Sequence, residues 1–141
     1  MPYPENCIRG ILKEVFIIKD NDCVYATAEL YQFRSNLDRQ DEMHEASINW
    51  GDDEMAIDFA LNQKNDEGNL KFEGGVAILP RNELDKIKKR YGITQFNYER
   101  SLLQDNKYHG NLLINVAISP TIKRMISAVL AHNSEIQQRT A

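Results

Sequence analysis

Two cysteines, three histidines, four prolines and a single tryptophan leave this chain poor in the residues that most often staple folds or carry chemistry. Two thiols cannot build the disulfide lattice of a small secreted scaffold, and Cys7 and Cys23 are spaced wrongly for a CxxC redox or zinc pair. A hairpin turning at Asp20-Asn21 would set Ile18 opposite Cys23 and Arg34 opposite Cys7, so the thiols would not face each other. Both are expected to be free, buried thiols in a reducing cytoplasm. No apolar run approaches the roughly 20 residues of a membrane span. Residues Met1 to Asn6 have neither the basic start nor the apolar core of a signal peptide. Basic residues are not in excess: 17 Lys and Arg against 21 Asp and Glu leave a net charge of −4. No global field therefore draws the chain to nucleic acid or to an anionic membrane, and the balance favours at most a basic partner.

Cofactor and nucleophile signatures are missing too. The chain has no GxGxxG, Walker loop, GxSxG elbow, HExxH or EF-hand loop. The expectation is a protein with no cofactor and no metal, in which no residue is assigned a catalytic role.

What is present is the composition of an ordinary globular protein, 42% hydrophobic and 27% charged. Its length suits one domain over residues 1–141, able to bury roughly two-thirds of its unfolded surface. The strongest pattern runs from Glu54 to Leu79. Met55, Ile57, Phe59 and Leu61 alternate with smaller or polar residues, and after Lys64 to Gly68 come Leu70, Phe72, Val76 and Ile78. Alternation of this kind predicts a hairpin of two half-buried strands, Glu54 to Asn62 and Asn69 to Leu79, with Phe59 facing Phe72 and a bulge at Gly74-Gly75.

Ile8 to Ile18 reads as a strand, interrupted or covered on both faces near Gly10, and Cys23 to Phe33 as its return. Arg34 to Glu45 reads as a loop and Ala46 to Trp50 as a short strand. A helix is predicted over 81–91 with Asn82 as N-cap, an apolar stripe of Leu84, Ile87 and Tyr91, and Gly92 as stop. Phe96 and Tyr98, paired with Ile114 and Leu112, predict a second hairpin. Ser119-Pro120 opens a helix over 120–132 with the stripe Ile122, Met125, Ile126, Val129 and Leu130. From about residue 133 the chain reads as a polar, frayed tail. The fold class is α+β: an antiparallel sheet or partial barrel built of hairpins, with the two helices packed on it.

Four groups of residues could bind something. Arg100 and His109, in the second hairpin, could hold a phosphate or carboxylate, and Trp50 could anchor a partner. Lys86, Lys88, Lys89 and Arg90, with Lys123 and Arg124, could form a basic patch next to the aromatics Tyr91, Phe96 and Tyr98. Asp38, Asp41, Glu42, His44, Glu45, Asp52, Asp53 and Glu54 form an acidic stretch without metal-ligand spacing, which reads as solvated. The leading functional expectation is a non-enzymatic binding module acting through protein contacts, accessory or immunity-like, with itself as one partner in a homo-oligomer. A small-molecule or nucleotide-binding barrel with hydrolase or isomerase activity comes second. Nucleic-acid binding through the lysine-rich helix end comes third.

Overall fold

The computed structural model describes residues 5–21, 23–53, 55–91 and 96–139. Its strands are Asn6–Ile11 (β1), Ile17–Asp20 (β2), Cys23–Ala26 (β3), Met43–Trp50 (β4), Gly75–Pro80 (β5), Phe96–Arg100 (β6), His109–Asn115 (β7) and Glu135–Gln137 (β8). The helices are Met55–Asn62 (α1), Arg81–Tyr91 (α2) and Pro120–His132 (α3), with 3-10 turns at Glu14–Phe16 and Ala28–Leu30. Six strands pair antiparallel in the order β6-β7-β4-β1-β5-β8, an open mixed α+β sheet rather than a closed barrel, while β2 and β3 form a separate ribbon.

The expected hairpin over residues 54–79 does not form. Residues 55–62 are a helix, and the strand that begins at Gly75 pairs with β1 and β8 instead. This short run satisfies both periods, because Ala56 and Ala60 are also one helical turn apart. Two local features decide for the helix. Met, Ala and Leu are strong helix formers, and the Asp53 carboxylate accepts the Met55 N–H at 2.8 Å. Ala56 and Ala60 then bury against Ile8 and Val76, so Phe59 meets Tyr108 edge-on at 5.2 Å and does not face Phe72. Phe72 lies flat on Gly10, where a Cβ would collide with its ring. Gly75 takes a left-handed φ of 88° and passes so close to the Gln137 carbonyl that no side chain fits.

The second hairpin has the expected register, Phe96 opposite Ile114 and Tyr98 opposite Leu112. The β2–β3 ribbon turns one residue later than expected, with Asn21 at φ 56°, so Ile18 faces Tyr25 and Asp20 faces Cys23. Asn is among the few residues that take this left-handed conformation at little cost. Cys7 is buried and Cys23 exposed, both free; burial pushes the Cys7 thiol well above its usual range. The returning strand stops at Ala26, and Leu30 and Tyr31 drop into the core beyond it. The short strand expected at 46–50 is the full eight residues of β4, in the middle of the sheet.

The two sheet faces differ. One packs Cys7, Ile11, Ile48, Trp50, Leu79 and Leu112 against α2, α3 and Tyr31. Helix α3 begins as expected, with Ser119 Oγ accepting the Ile122 N–H at 3.2 Å. Ile126 and Leu130 are buried, but Met125 is 44% exposed and does not belong to the stripe. Helix α2 follows β5 directly from Arg81, which puts Asn82 inside its first turn rather than at the cap. Gly92, the expected stop, lies outside the described residues, as does Glu54. On the opposite face α1 and the loop after it cover β1 and β5, and Arg39 bridges Glu45 of β4 to Glu99 of β6. The expected frayed tail instead supplies the edge strand β8. Beyond it Arg139 donates through Nε to the Leu61 carbonyl at 2.8 Å and through Nη1 to the Phe72 carbonyl. Among the described residues no helix is long and apolar enough to cross a membrane.

Candidate functional site

Strand alternation sends neighbouring residues to opposite faces, and this separates Arg100 from His109. Arg100 extends over the packed face, its guanidinium 3.5 Å from the centre of the Trp50 ring, and pairs with Asp52 at 2.7 Å. Trp50 is only 4% exposed beneath it and meets Tyr98 edge-on at 4.4 Å. Tyr98 is itself buried, which raises its hydroxyl pKa. These three residues therefore form a capped part of the core, not a projecting anchor.

His109 lies on the open face. Its Nδ1 is 2.7 Å from the Ser101 carbonyl. A carbonyl can only accept, so Nδ1 carries the hydrogen and the neutral ring keeps its lone pair on Nε2. His109 faces Asn49 across the strand pair, and both line a pocket of about 270 Å³ between the loop after α1 and the loop before β7.

The floor of this pocket is polar. Asn106 Nδ2 donates to Asn49 Oδ1 at 2.9 Å, both residues being buried, and Asn106 Oδ1 accepts the Tyr108 N–H. The Asn49 amide nitrogen has no acceptor among the described residues. Gln63, at the end of α1, has a buried Oε1 without a partner among them. The walls and rim are apolar: Phe72 rests on Gly10, and Leu12 and Leu103 are each about half exposed. Lys71 also lines the pocket, its ammonium 5.4 Å from the Phe72 ring centre. Arg139 holds this wall in place by tying the Leu61 carbonyl to that of Phe72.

Of these residues sequence reasoning had singled out only His109. Asn49, Asn106 and the pair Gln63 and Lys71 come from three separate segments, and a lone amide or lysine in one sequence carries no signal of convergence.

The acidic stretch is largely committed to protein partners. Arg39 gathers Asp41 at 2.7 Å, Glu45 at 2.9 Å and Glu99 onto one guanidinium, and holds the Asp41 and Glu99 carboxyls below their usual range. Asp52 accepts the Glu5 N–H, and Asp53 accepts both the Met55 N–H and the Tyr108 hydroxyl, which together lower its pKa. His44 accepts from the Lys123 ammonium at 2.8 Å; burial, then the lysine charge, lower its pKa. Asp52 and Asp53 are thus structural groups rather than the bare solvated loop that the sequence led us to expect. Among the described residues no group of three or more His, Cys, Asp or Glu is placed to hold a metal ion.

The four basic residues from Lys86 to Arg90 all lie on α2, and Lys123 lies on α3. Lys86 leans on Glu83 at 3.4 Å, Lys88 is half-buried, Lys89 and Arg90 are exposed, and Lys123 is occupied by His44. With Tyr98 in the core, one of the three aromatics expected beside them cannot stack on a base. The chain matches no known family model, and neither a curated protein nor a solved structure proved similar to it.

Proposed function

We propose that this protein is a non-enzymatic binding module acting through protein contacts, with the open sheet face around the His109 pocket as its contact surface. The observation that supports this reading is the rim. Leu12 and Leu103 stand about half exposed on either side of a polar floor, and Leu70 and Leu102 are exposed beside Lys71 and Leu103 in the chain. Apolar area left in water costs about 25 cal/mol per Å², so a rim of this kind gains by being covered. A second copy of the chain is the first partner to test, and accessory or immunity-like roles fall in the same class. A reducing cytoplasm suits an exposed unpaired Cys23.

The test combines light scattering with affinity capture from cell extract. A partner retained by wild type and by Leu37→Asp, but lost by Leu12→Asp/Leu103→Asp, supports the reading; Leu37 serves as control because it is 100% exposed and distant in sequence. Capture that is indifferent to the rim pair, together with a monomeric wild type, overturns it. The pocket's volume favours a second reading, a small-molecule site, which a thermal-shift screen of metabolites distinguishes, because a ligand bound only by the folded state must raise its melting temperature.

A further inference from the structure

We infer that the pocket is built to take the carboxylate of an acidic side chain, Asp or Glu, presented by a peptide segment of the partner, an inference that rests on the contact-surface reading above. The first argument is charge. In a protein of net charge −4, no Asp or Glu among the described residues lines this pocket, whereas Lys71 and Arg9 do. Arg9 is committed to carbonyls, donating through Nε to Leu30 at 3.0 Å, so Lys71 supplies the available cation.

The second argument is the inventory of donors. Asn49 spends its only acceptor on Asn106 and keeps an unused amide N–H₂, and Ser47 adds a hydroxyl. Gln63, which also lines the pocket, has a buried Oε1 without a partner among the described residues. A buried polar atom without a partner is destabilising, so a turn of this amide toward a ligand that donates to it would improve the site. A free carboxylate cannot do this. A peptide can: its acidic side chain accepts from Lys71 and Asn49, and a main-chain N–H is available for Gln63. The half-exposed Leu12 and Leu103 suit apolar neighbours on either side of the acid. A volume of about 270 Å³ equals about nine waters at roughly 30 Å³ each, room for one such side chain and its peptide unit.

The experiment is a titration of the full ¹⁵N-labelled chain with acetyl-Leu-Glu-Leu-amide, acetyl-Leu-Gln-Leu-amide and isovalerate, read on the side-chain amides of Asn49, Asn106 and Gln63. The Glu peptide should shift these signals saturably, at least about 10-fold more tightly than the Gln peptide, since an ionised partner strengthens each hydrogen bond. Binding should weaken as salt rises. Lys71→Met should erase the Glu-over-Gln preference and Lys71→Arg should keep it. The inference is overturned if the Gln peptide binds as tightly, if Lys71→Met leaves the preference intact, or if the shifts map away from the pocket. Isovalerate binding as tightly as the Glu peptide also overturns it, by making a free small acid the ligand. So does silence of the pocket signals up to about 10 mM peptide, beyond the weakest useful affinities. Rim-dependent capture that persists through any of these outcomes leaves the contact surface standing without the carboxylate; loss of both removes the surface as well.

Discussion

Replacing Arg39 with methionine keeps the stem of the side chain and removes the charge that three carboxylates share. The guanidinium side chain is 12% exposed, against 20% for Glu45, 36% for Glu99 and 47% for Asp41. Glu45 and Glu99 bind the same Nη1, so without it two half-buried carboxylates are left roughly 5 Å apart, repelling by about 1–3 kcal/mol at an effective dielectric of about 80 down to about 20. Asp41 is solvated and adds only what a surface pair gives, about 0–1 kcal/mol. The expected loss is about 2–3 kcal/mol, below the roughly 3–5 kcal/mol of breaking a fully buried pair. Urea denaturation should show the loss with an unchanged slope, and the melting temperature should fall by about 5–10 °C.

The acid limb supplies a second check. Arg39 depresses the Glu99 carboxyl in the folded state, so its stabilisation is present above the unfolded glutamate pKa of about 4.3 and is lost as pH falls through the lower folded value. Wild type should therefore lose stability below about pH 4 more steeply than Arg39→Met. In a Glu99→Gln background the arginine should matter less. A variant within about 0.5 kcal/mol of wild type, with the same acid limb, would refute the reasoning.

Ser119→Ala should cost about 1 kcal/mol in chemical denaturation, through the lost cap on α3. Asp53→Ala removes both the α1 cap and the Tyr108 bond and should cost about 1–2 kcal/mol; a neutral result would restore the solvated-loop picture. Gly10→Ala should cost about 1–3 kcal/mol by forcing Phe72 off the sheet, and Phe72→Ala should make the same change nearly free, as a double-mutant cycle will report. Met125→Asp should melt close to wild type because that residue is exposed, whereas Ile126→Asp should not fold.

Elements with one strong local signal were legible in the sequence. Ser119-Pro120 opened α3, the spacing of Leu84 and Ile87 marked α2, and the paired apolar parities of Phe96, Tyr98, Leu112 and Ile114 set the β6–β7 register. The misreading fell on residues 55–62, whose eight residues satisfy both the strand and the helix period. The decision there comes from the cap at Asp53 and from Ile8 and Val76, far away in the chain. Pairings such as Cys7 with both Trp50 and Leu79 leave no mark in either local segment. The pocket was legible only at His109, because its other polar groups become neighbours through those same long-range pairings.

The position of β1 has a kinetic consequence. This strand lies near the start of the chain, yet it is the seam of the sheet: Ile8 pairs with Asn49 on one side and Ile78 on the other. Among the described residues, only β6 and β7 of the main sheet are joined as a simple hairpin. Closing the long loops on either side of β1 must precede the contacts that reward it, which places folding in the slow, millisecond-to-second class of non-local sheets. Until β1 docks, the apolar edges of β4 and β5 are open to strands of other molecules. Refolding yield should therefore fall as protein concentration rises, while the refolding rate of the molecules that succeed stays constant.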